Sequence, residues 1–206
     1  MAPRNPRTRL ATHDVANQPP PLEDVNLFSS DEILRSAVQW SGAGSHMARL
    51  TKFGAQVGSA ETQAWAAQAN RVAPIFEPYD RYGRRLDEVE FHPSYHRLMQ
   101  IGLEAGVSGA AWKVNEGGHA LHAALLFLMG QADYGVCCPM SMTYAVVPAL
   151  NAEPSVAKQW APRVTTEAYD QRFIPASEKA AATMGMAMTE KQGGSDVRAN
   201  TTRAVR

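Results

Sequence analysis

Cysteine is scarce in this sequence, and long apolar runs are missing. Only Cys137 and Cys138 occur among the 206 residues, side by side. Adjacent cysteines cannot join distant segments and lack the spacing of a metal site, so a disulfide scaffold is excluded and a reducing, cytoplasmic compartment is expected. The longest apolar candidate, Ala120 to Gly130, is interrupted by His122 and is shorter than the roughly 20 residues that cross a bilayer. We therefore expect a soluble protein without a membrane partner.

Neither sign of charge is in excess. Lys and Arg number 20, Asp and Glu also number 20, and the formal net charge is zero. A strong field for nucleic acid over the whole chain is thus excluded. With 45% hydrophobic and 19% charged residues, the composition is that of a folded domain and not of a disordered chain. The nucleotide-binding patterns Gly-x-Gly-x-x-Gly and Walker A are also missing.

The first 28 residues are predicted to form an extended N-terminal arm. Arg4, Arg7 and Arg9 precede any acidic residue, but they are not followed by the apolar core of a signal peptide. We interpret 1–14 as a basic, flexible tail, with a transit peptide as the alternative. The run from Gln18 to Leu22 contains three consecutive prolines, which fix φ and supply no N–H donors. This part is a linker or an arm laid on a surface.

Residues 29–180 are predicted to form an α-helical domain. Ser29, Ser30 and Asp31 offer N-cap oxygens ahead of the first helical pattern. The spacing of its apolar residues follows one helical face, formed by Ile33, Leu34, Ala37, Val38 and Trp40. Ala120 to Tyr134 is apolar nearly all round, as in a helix at the centre of a bundle. Helical spacing of apolar residues predicts helices over about 31–41, 47–70 with a possible break at 58–59, 93–107, 120–134, 141–150 and 155–163.

Two further patterns predict β-structure. Gly83 can supply the positive φ of a tight turn, and the alternation of Leu86, Val89 and Phe91 predicts a short β-hairpin near 80–91. The character of the chain then changes at residue 181, where the apolar run 182–188 leads into a Gly-Gly pair. Many helices followed by one strand and a glycine-rich turn favour a mainly α fold, in which 181–206 begins a β-domain.

The segment between Met184 and Val197 holds the most chemical information. Glycines let the backbone approach a ligand closely and expose successive N–H groups, while Thr189 and Ser195 add hydroxyl groups. A phosphate site or a site for a ring edge is physically reasonable. By spacing alone, a surface hairpin with capping hydroxyls is the preferred interpretation, because Gly-Gly-Ser-Asp occurs in many turns.

The same segment resembles the flavin-contacting signature of the acyl-CoA dehydrogenase family. The common signature has proline after its glutamate, whereas Lys191 stands here, as in the AidB-like branch of the family. Further matches to that branch cover nearly the whole chain. The matching residues are Met188-Thr189-Glu190, Gly194-Ser195-Asp196, Thr202-x-Ala204, Thr12-His13-x-Val15-x-Asn17-Gln18-Pro19, Tyr79-Asp80-x-x-Gly83-Arg84-Arg85-Leu86-Asp87-x-Val89-x-Phe91-His92-Pro93 and Cys138-Pro139-Met140-x-Met142-Thr143.

This resemblance implies an FAD site and an acyl-CoA dehydrogenase-like N-terminal helical domain followed by the first strands of a β-barrel-like middle domain. The hydroxyl of Thr189 and the backbone of 186–188 would face the isoalloxazine ring, and Gly194 and Ser195 would lie towards the pyrophosphate and the acyl-CoA. The residues 140–143 are expected near the substrate cavity. The implied cofactor-binding residues are Met186, Ala187, Met188, Thr189, Gly194 and Ser195.

The resemblance assigns no catalytic residue to these 206 residues. In the family the base is a glutamate of a C-terminal helical domain that this sequence does not reach, and Glu190 is interpreted as part of the turn. With binding residues only, we expect the chain alone to retain FAD weakly or not at all. We also expect an exposed apolar face along Ala120 to Leu128, and hence aggregation or oligomers.

Two functions are compatible with the resemblance. The first is an FAD-dependent oxidoreductase that removes the α-proton of an acyl-CoA thioester and passes the β-hydride to flavin N5. The second is a flavin-containing protein that binds or protects DNA in the alkylation response with little turnover, the DNA being held by a C-terminal domain. A homotetramer is implied by the resemblance alone.

Two histidine pairs have structural interpretations that outweigh metal binding. His92 and His96 are four residues apart, but His92 precedes a proline and no glutamate follows it, so a zinc pair is disfavoured. His119 and His122 share a helical face beside alanines, and partly buried, hydrogen-bonded side chains are the preferred interpretation.

A thiol and an arginine cluster are also interpreted as structural. The apolar surroundings of Cys138 favour an inert core residue over a reactive thiol. Arg81, Arg84 and Arg85 could bind phosphate or DNA, but acidic residues flank them on both sides, so an ion-paired hairpin is preferred.

Overall fold

A computed structural model describes Thr12 and residues 14–205. Most of the predicted basic tail, including Arg4, Arg7 and Arg9, lies outside the described residues. The mainly α fold is confirmed, and the break near 58–59 separates two helices as predicted. The elements are α1 (Glu32–Trp40), α2 (Met47–Val57), α3 (Ala60–Arg71), β1 (Ile75–Tyr79), β2 (Arg85–Glu90), α4 (Pro93–Glu104), α5 (Gly118–Ala132), α6 (Cys137–Asn151) and α7 (Pro154–Val164).

Helix α1 begins at the predicted cap, but its apolar residues do not form one buried face. The Asp31 carboxylate accepts a hydrogen bond from the N–H of Leu34 at 2.8 Å. Val38 is buried, whereas Ile33 is 83% exposed and Trp40 is 92% exposed. Residues 34 and 38 are four apart and point to the core, and residues 33 and 40 lie about 100–160° from them around the helix. The core therefore covers only one side of the predicted stripe.

The end of the N-terminal arm packs into the helical body. Leu27 and Phe28 are buried. The N–H of Leu27 donates to the carbonyl of Gly54 at 3.1 Å. Gly54 is required for this crossing, because a Cβ there would lie 2.6 Å from the Cβ and the backbone nitrogen of Phe28. In the described part of the arm, Thr12 and residues 14–24 are exposed, whereas 25–28 are partly or fully buried. The proposed domain limits at 28 and 180 remain predictions.

The predicted hairpin is confirmed, although its first strand begins before residue 80. Strands β1 and β2 are antiparallel, with Phe76 opposite Val89. The Asp80 carboxylate closes the turn by accepting from the N–H groups of Tyr82 and Arg84, at 2.8 and 2.9 Å. Gly83 has a φ of 76°, as the turn requires. Nearly all residues of both strands are exposed, so the hairpin extends outside the core.

Helix α5 is the centre of the core, as its all-round apolar character predicted. It contacts α1, α2, α3 and α6. Leu121, Leu125, Leu128 and Met129 are fully buried. The exposed apolar face expected along 120–128 is confirmed only as a narrow strip, because these neighbouring helices cover most of the helix and leave Ala123 and Phe127 exposed. Among the described residues, no helix combines the length and apolar character needed to cross a membrane.

Helix α6 starts one turn earlier than predicted, which changes the position expected for Cys138. Cys137 is buried and Cys138 is exposed, so the prediction that Cys138 is a core residue is wrong. Consecutive helical residues point about 100° apart, and only the first of the two faces the core. Burial raises the pKa of the Cys137 thiol to about 11, which keeps it protonated.

The strand predicted over 182–188 pairs with no other strand in the described part of the chain. Alternate N–H groups of this segment point to the helices instead. Ala182 donates to the carbonyl of Arg163 at 3.2 Å, and Met184 and Met186 donate to side chains of α6. A period of two is that of an extended backbone. The segment is extended, as predicted, but helices and not strands hold it.

Candidate functional site

The predicted flavin-facing residues belong to one segment, 182–202, which we call the site segment. It follows α7 and lies against α6 and α7. Met184 packs in a small apolar cluster with Trp112 and Trp160 beside the buried residues Val147 and Val164. The main helical core thus lies apart from this segment, and a second, smaller group of apolar side chains anchors its start.

Beyond residue 188 the site segment folds back on itself through polar contacts. Glu190 and Gly193 form an antiparallel bridge. The Glu190 carboxylate accepts from the N–H groups of Thr201 and Thr202, at 2.9 and 2.6 Å, and also from the Gln192 amide. The side-chain amide of Asn200 donates to the carbonyl of Met188 at 2.6 Å. These bonds hold 200–202 beside 188–190.

The environment of Glu190 confirms that it is part of the turn. Hydrogen bonds from Thr202 and Gln192, together with the N–H groups of 201 and 202, favour its charged form and lower its pKa to about 2. A carboxylate used in this way is an acceptor that stays ionised, whereas a general base must take up a proton. Glu190 therefore stabilises the loop and is not a candidate for proton abstraction.

All six predicted cofactor-binding residues are exposed, and the turn brings two of them into contact. Met186 and Met188 are 59% and 49% exposed. Thr189 lies directly against Gly194, since a Cβ on that glycine would be 2.9 Å from the Thr189 hydroxyl oxygen. Within the described part of the chain, neither the Thr189 hydroxyl nor the Ser195 hydroxyl has a protein hydrogen-bond partner. Both are thus available to an external ligand.

The donors and shapes at this surface fit a flavin. Small residues, Ala187 and Gly194, let a flat ring approach the backbone, and Thr189 supplies a neutral hydroxyl donor of the kind that tunes a ring nitrogen. Ser195 follows Gly194 in the turn and adds a second hydroxyl, which can reach a phosphate oxygen. Residues 186–189 would hold the ring and residues 194–195 would hold the more polar part of the cofactor.

Three residues that support this surface were not assigned to it from the sequence. Met142 and Thr143 accept hydrogen bonds from the N–H groups of Met186 and Met184, at 3.2 and 3.0 Å. Asn200 holds the carbonyl of Met188. The motif containing 140–143 was predicted to lie near the substrate cavity, so its position carried a partial signal. The pairing of α6 with particular N–H groups of the segment could not be predicted, because it depends on the packing.

The four histidines of the two pairs considered above have protein partners in the described structure. The Nδ1 of His92 accepts from the N–H of Ser94 and caps α4, and His96 bonds the hydroxyl of Tyr169 at 2.7 Å. His122 is buried, its Nδ1–H donates to the carbonyl of Val107, and burial lowers its pKa. His119 is bonded to a tyrosine hydroxyl as predicted, but it is exposed. No cluster of three or more metal-ligating side chains occurs among the described residues.

Two of the three arginines in the hairpin cluster are ion-paired, as the flanking acids predicted. Arg84 contacts the Asp80 carboxylate at 2.6 Å, and Arg85 contacts Asp87 at 2.5 Å. The Arg81 and Arg84 guanidinium groups also lie over the Tyr82 ring, 5.7 and 5.3 Å from its centroid. This geometry favours a structural role in the hairpin over a phosphate or DNA site.

Comparison with known proteins agrees with the resemblance. The family model described as the adaptive response protein AidB N-terminal domain matches residues 17–171, which is most of the chain. This chain belongs to the AidB-like branch of the acyl-CoA dehydrogenase family. The family model ends before the site segment.

Two curated relatives match most of the chain. The putative acyl-CoA dehydrogenase AidB of Escherichia coli is 41% identical over 198 residues, which is 95% of this chain and 37% of AidB. Because so little of this chain lies outside the alignment, the alignment includes residues 186–195. Acyl-CoA dehydrogenase family member 11 of Caenorhabditis elegans is 34% identical over 170 residues, 81% of this chain and 27% of that protein. The chain thus spans about a third of the length of these relatives.

Two solved structures share the fold. The C. elegans ACDH-11 structure, in complex with C11-CoA, covers 96% of this chain and 34% of its own, with 27% identity and a TM-score of 0.70. The apo form of Bd2924 covers 87% of this chain and 35% of its own, with 24% identity and a TM-score of 0.74. The helical arrangement described above is therefore that of an acyl-CoA dehydrogenase.

Proposed function

We propose that this chain supplies the flavin-facing surface of an FAD site in an AidB-like acyl-CoA dehydrogenase. The observation that carries the proposal is the surface formed by 186–189 and 194–195, where Thr189 lies against Gly194 and two hydroxyl groups are open to a ligand. Such a surface binds and orients a flat cofactor, and the hydroxyl groups tune its electron affinity.

The reaction that we propose is the α,β-dehydrogenation of an acyl-CoA thioester. FAD, when bound, supplies the acceptor for the β-hydride. The contribution of this chain is binding and orientation: Thr189 and the backbone of 186–188 hold the ring, and Ser195 holds the polar part. The C11-CoA bound in the ACDH-11 structure supports an acyl-CoA as the ligand class. No residue of the site segment is assigned as the base that removes the α-proton.

The compartment and the assembly are part of the same proposal. The two cysteines are not joined by a disulfide, which is compatible with a cytoplasmic protein. A homotetramer is proposed by similarity to the family. DNA contact through this chain is not proposed, since two arginines of the hairpin cluster are paired with acidic residues.

A chimera tests the proposal. Residues 14–205 replace the matching part of E. coli AidB, and a second chimera exchanges only residues 182–202. We expect both purified proteins to carry FAD at the stoichiometry of AidB prepared in parallel. If the second chimera folds like AidB by circular dichroism but lacks FAD, residues 182–202 do not form a flavin surface and the proposal fails.

A further inference from the structure

The hydroxyl group of Thr143 makes hydrogen bonds in two directions from inside the protein. It donates to the carbonyl of Pro139, one turn earlier in α6, at 2.7 Å. It accepts from the N–H of Met184, in the site segment, at 3.0 Å. Thr143 is 1% exposed. Because the hydroxyl proton is directed at Pro139, a lone pair of the oxygen is directed at Met184, and water does not compete for either bond.

This bond lies in the middle of the three contacts that orient the start of the site segment. The N–H of Ala182, two residues earlier, donates to the carbonyl of Arg163. The N–H of Met186, two residues later, donates to the thioether sulfur of Met142, a weak acceptor. Thr143 is thus the stronger of the two side-chain acceptors by which α6 holds the site segment. In an extended segment, a shift by one residue would turn the opposite side towards the helices.

We propose that Thr143 is a positioning residue for the cofactor: its buried hydroxyl fixes the register of the site segment on α6, and so fixes which side of residues 186–189 faces the flavin. The inference rests on the proposed function for its second half only. The first half, that Thr143 sets the register, concerns the chain by itself.

Amide hydrogen exchange in the 206-residue chain tests the first half. Thr143→Val keeps the volume and removes the acceptor, so exchange at Met184 is expected to rise on the order of tenfold relative to amides of α6. Thr165→Val is the matched control, because its hydroxyl makes the same bond one turn back, to Ala161 at 2.8 Å, but makes no hydrogen bond to the described residues of the site segment. Thr143→Ser retains a hydroxyl and should restore protection.

If Thr143→Val lowers the overall stability, exchange rises both at Met184 and in α6. The ratio of the two exchange rates therefore isolates the local effect at Met184. An unchanged ratio, or the same change in Thr165→Val, would overturn the proposal.

A titration with FAD of the cofactor-free chimera that carries residues 14–205, followed by flavin fluorescence, tests the second half. We expect the parent chimera to bind FAD, Thr143→Val to weaken this binding several-fold and Thr143→Ser to restore it. Equal FAD binding by the parent chimera and its Thr143→Val variant would overturn the role in cofactor positioning. If the parent chimera binds no FAD, the proposed function fails, and the exchange ratio alone decides whether Thr143 sets the register.

Discussion

The helical core and the site segment are stabilised by different interactions. Helix α5 is surrounded by other helices, and four of its side chains are completely buried. The site segment is largely exposed and is held by hydrogen bonds to Thr143, Met142, Glu190 and Asn200. Apolar burial is non-directional and stabilises the helical core as a whole, whereas hydrogen bonds are directional and fix the positions of individual atoms. A surface that must orient a cofactor on a helical scaffold is expected to depend on the second kind of interaction.

The largest effect is expected in the core. Leu125→Ala removes a fully buried side chain from the centre of α5, and we expect it to lower the free energy of unfolding by about 3 kcal/mol. Urea denaturation followed by circular dichroism measures the loss. Phe127→Ala on the same helix is the control, because Phe127 is 53% exposed and should cost less than half as much. Equal losses would contradict the placement of α5 at the centre.

A second substitution tests the contact between the arm and the body. Gly54→Ala places a Cβ 2.6 Å from the Cβ and the backbone nitrogen of Phe28, so the arm must move. We expect a loss of about 1–3 kcal/mol in the same denaturation experiment, as for other overpacked sites. Gly185→Ala meets no atom within 4 Å and is the matched control. A stable Gly54→Ala variant would show that residues 25–28 do not cross α2 closely.

The sequence-based predictions were more successful for the helical core than for the site segment. Periodicity found the helices, and cap and turn residues placed the start of α1 and the hairpin, because these signals are local. The start of α6 and the exposure of Cys138 were missed, since a run that is apolar on both sides of a helix start does not show where the first turn begins. The exposure of Ile33 was missed because a pattern shows an apolar face but not how much of it finds a partner.

The site was predicted less completely than the fold. Its residues, which include Thr189 and Gly194, were named through the resemblance. In the structure these two residues are in contact. The supporting role of Thr143 depends on contacts between residues 41 apart in sequence. Local patterns contain no information about such contacts, so they required the structure.

The pH titration of Glu190 is a smaller effect. It tests whether the carboxylate closes the turn of the site segment or acts as a general acid or base. The carboxylate of Glu190 is stabilised by its donors, so its contribution to the turn is present above its ordinary pKa of 4.5 and is lost as the pH falls through about 2. We expect the amide shifts of Thr201 and Thr202 to titrate with a midpoint near 2. Glu190→Gln should abolish this titration. A midpoint near 4.5 would mean that the carboxylate does not close the turn.

The central claim is that residues 186–195 contact a flavin, and the hydroxyl of Thr189 tests it most directly. In the chimera that carries residues 14–205, the flavin reduction potential and absorption spectrum are measured for the parent, for Thr189→Val and for the control Thr165→Val. Loss of one hydrogen bond of about 1 kcal/mol corresponds to roughly 20 mV for a two-electron couple. We predict a shift of this size in Thr189→Val alone. An unchanged potential and spectrum in that variant would contradict the flavin contact.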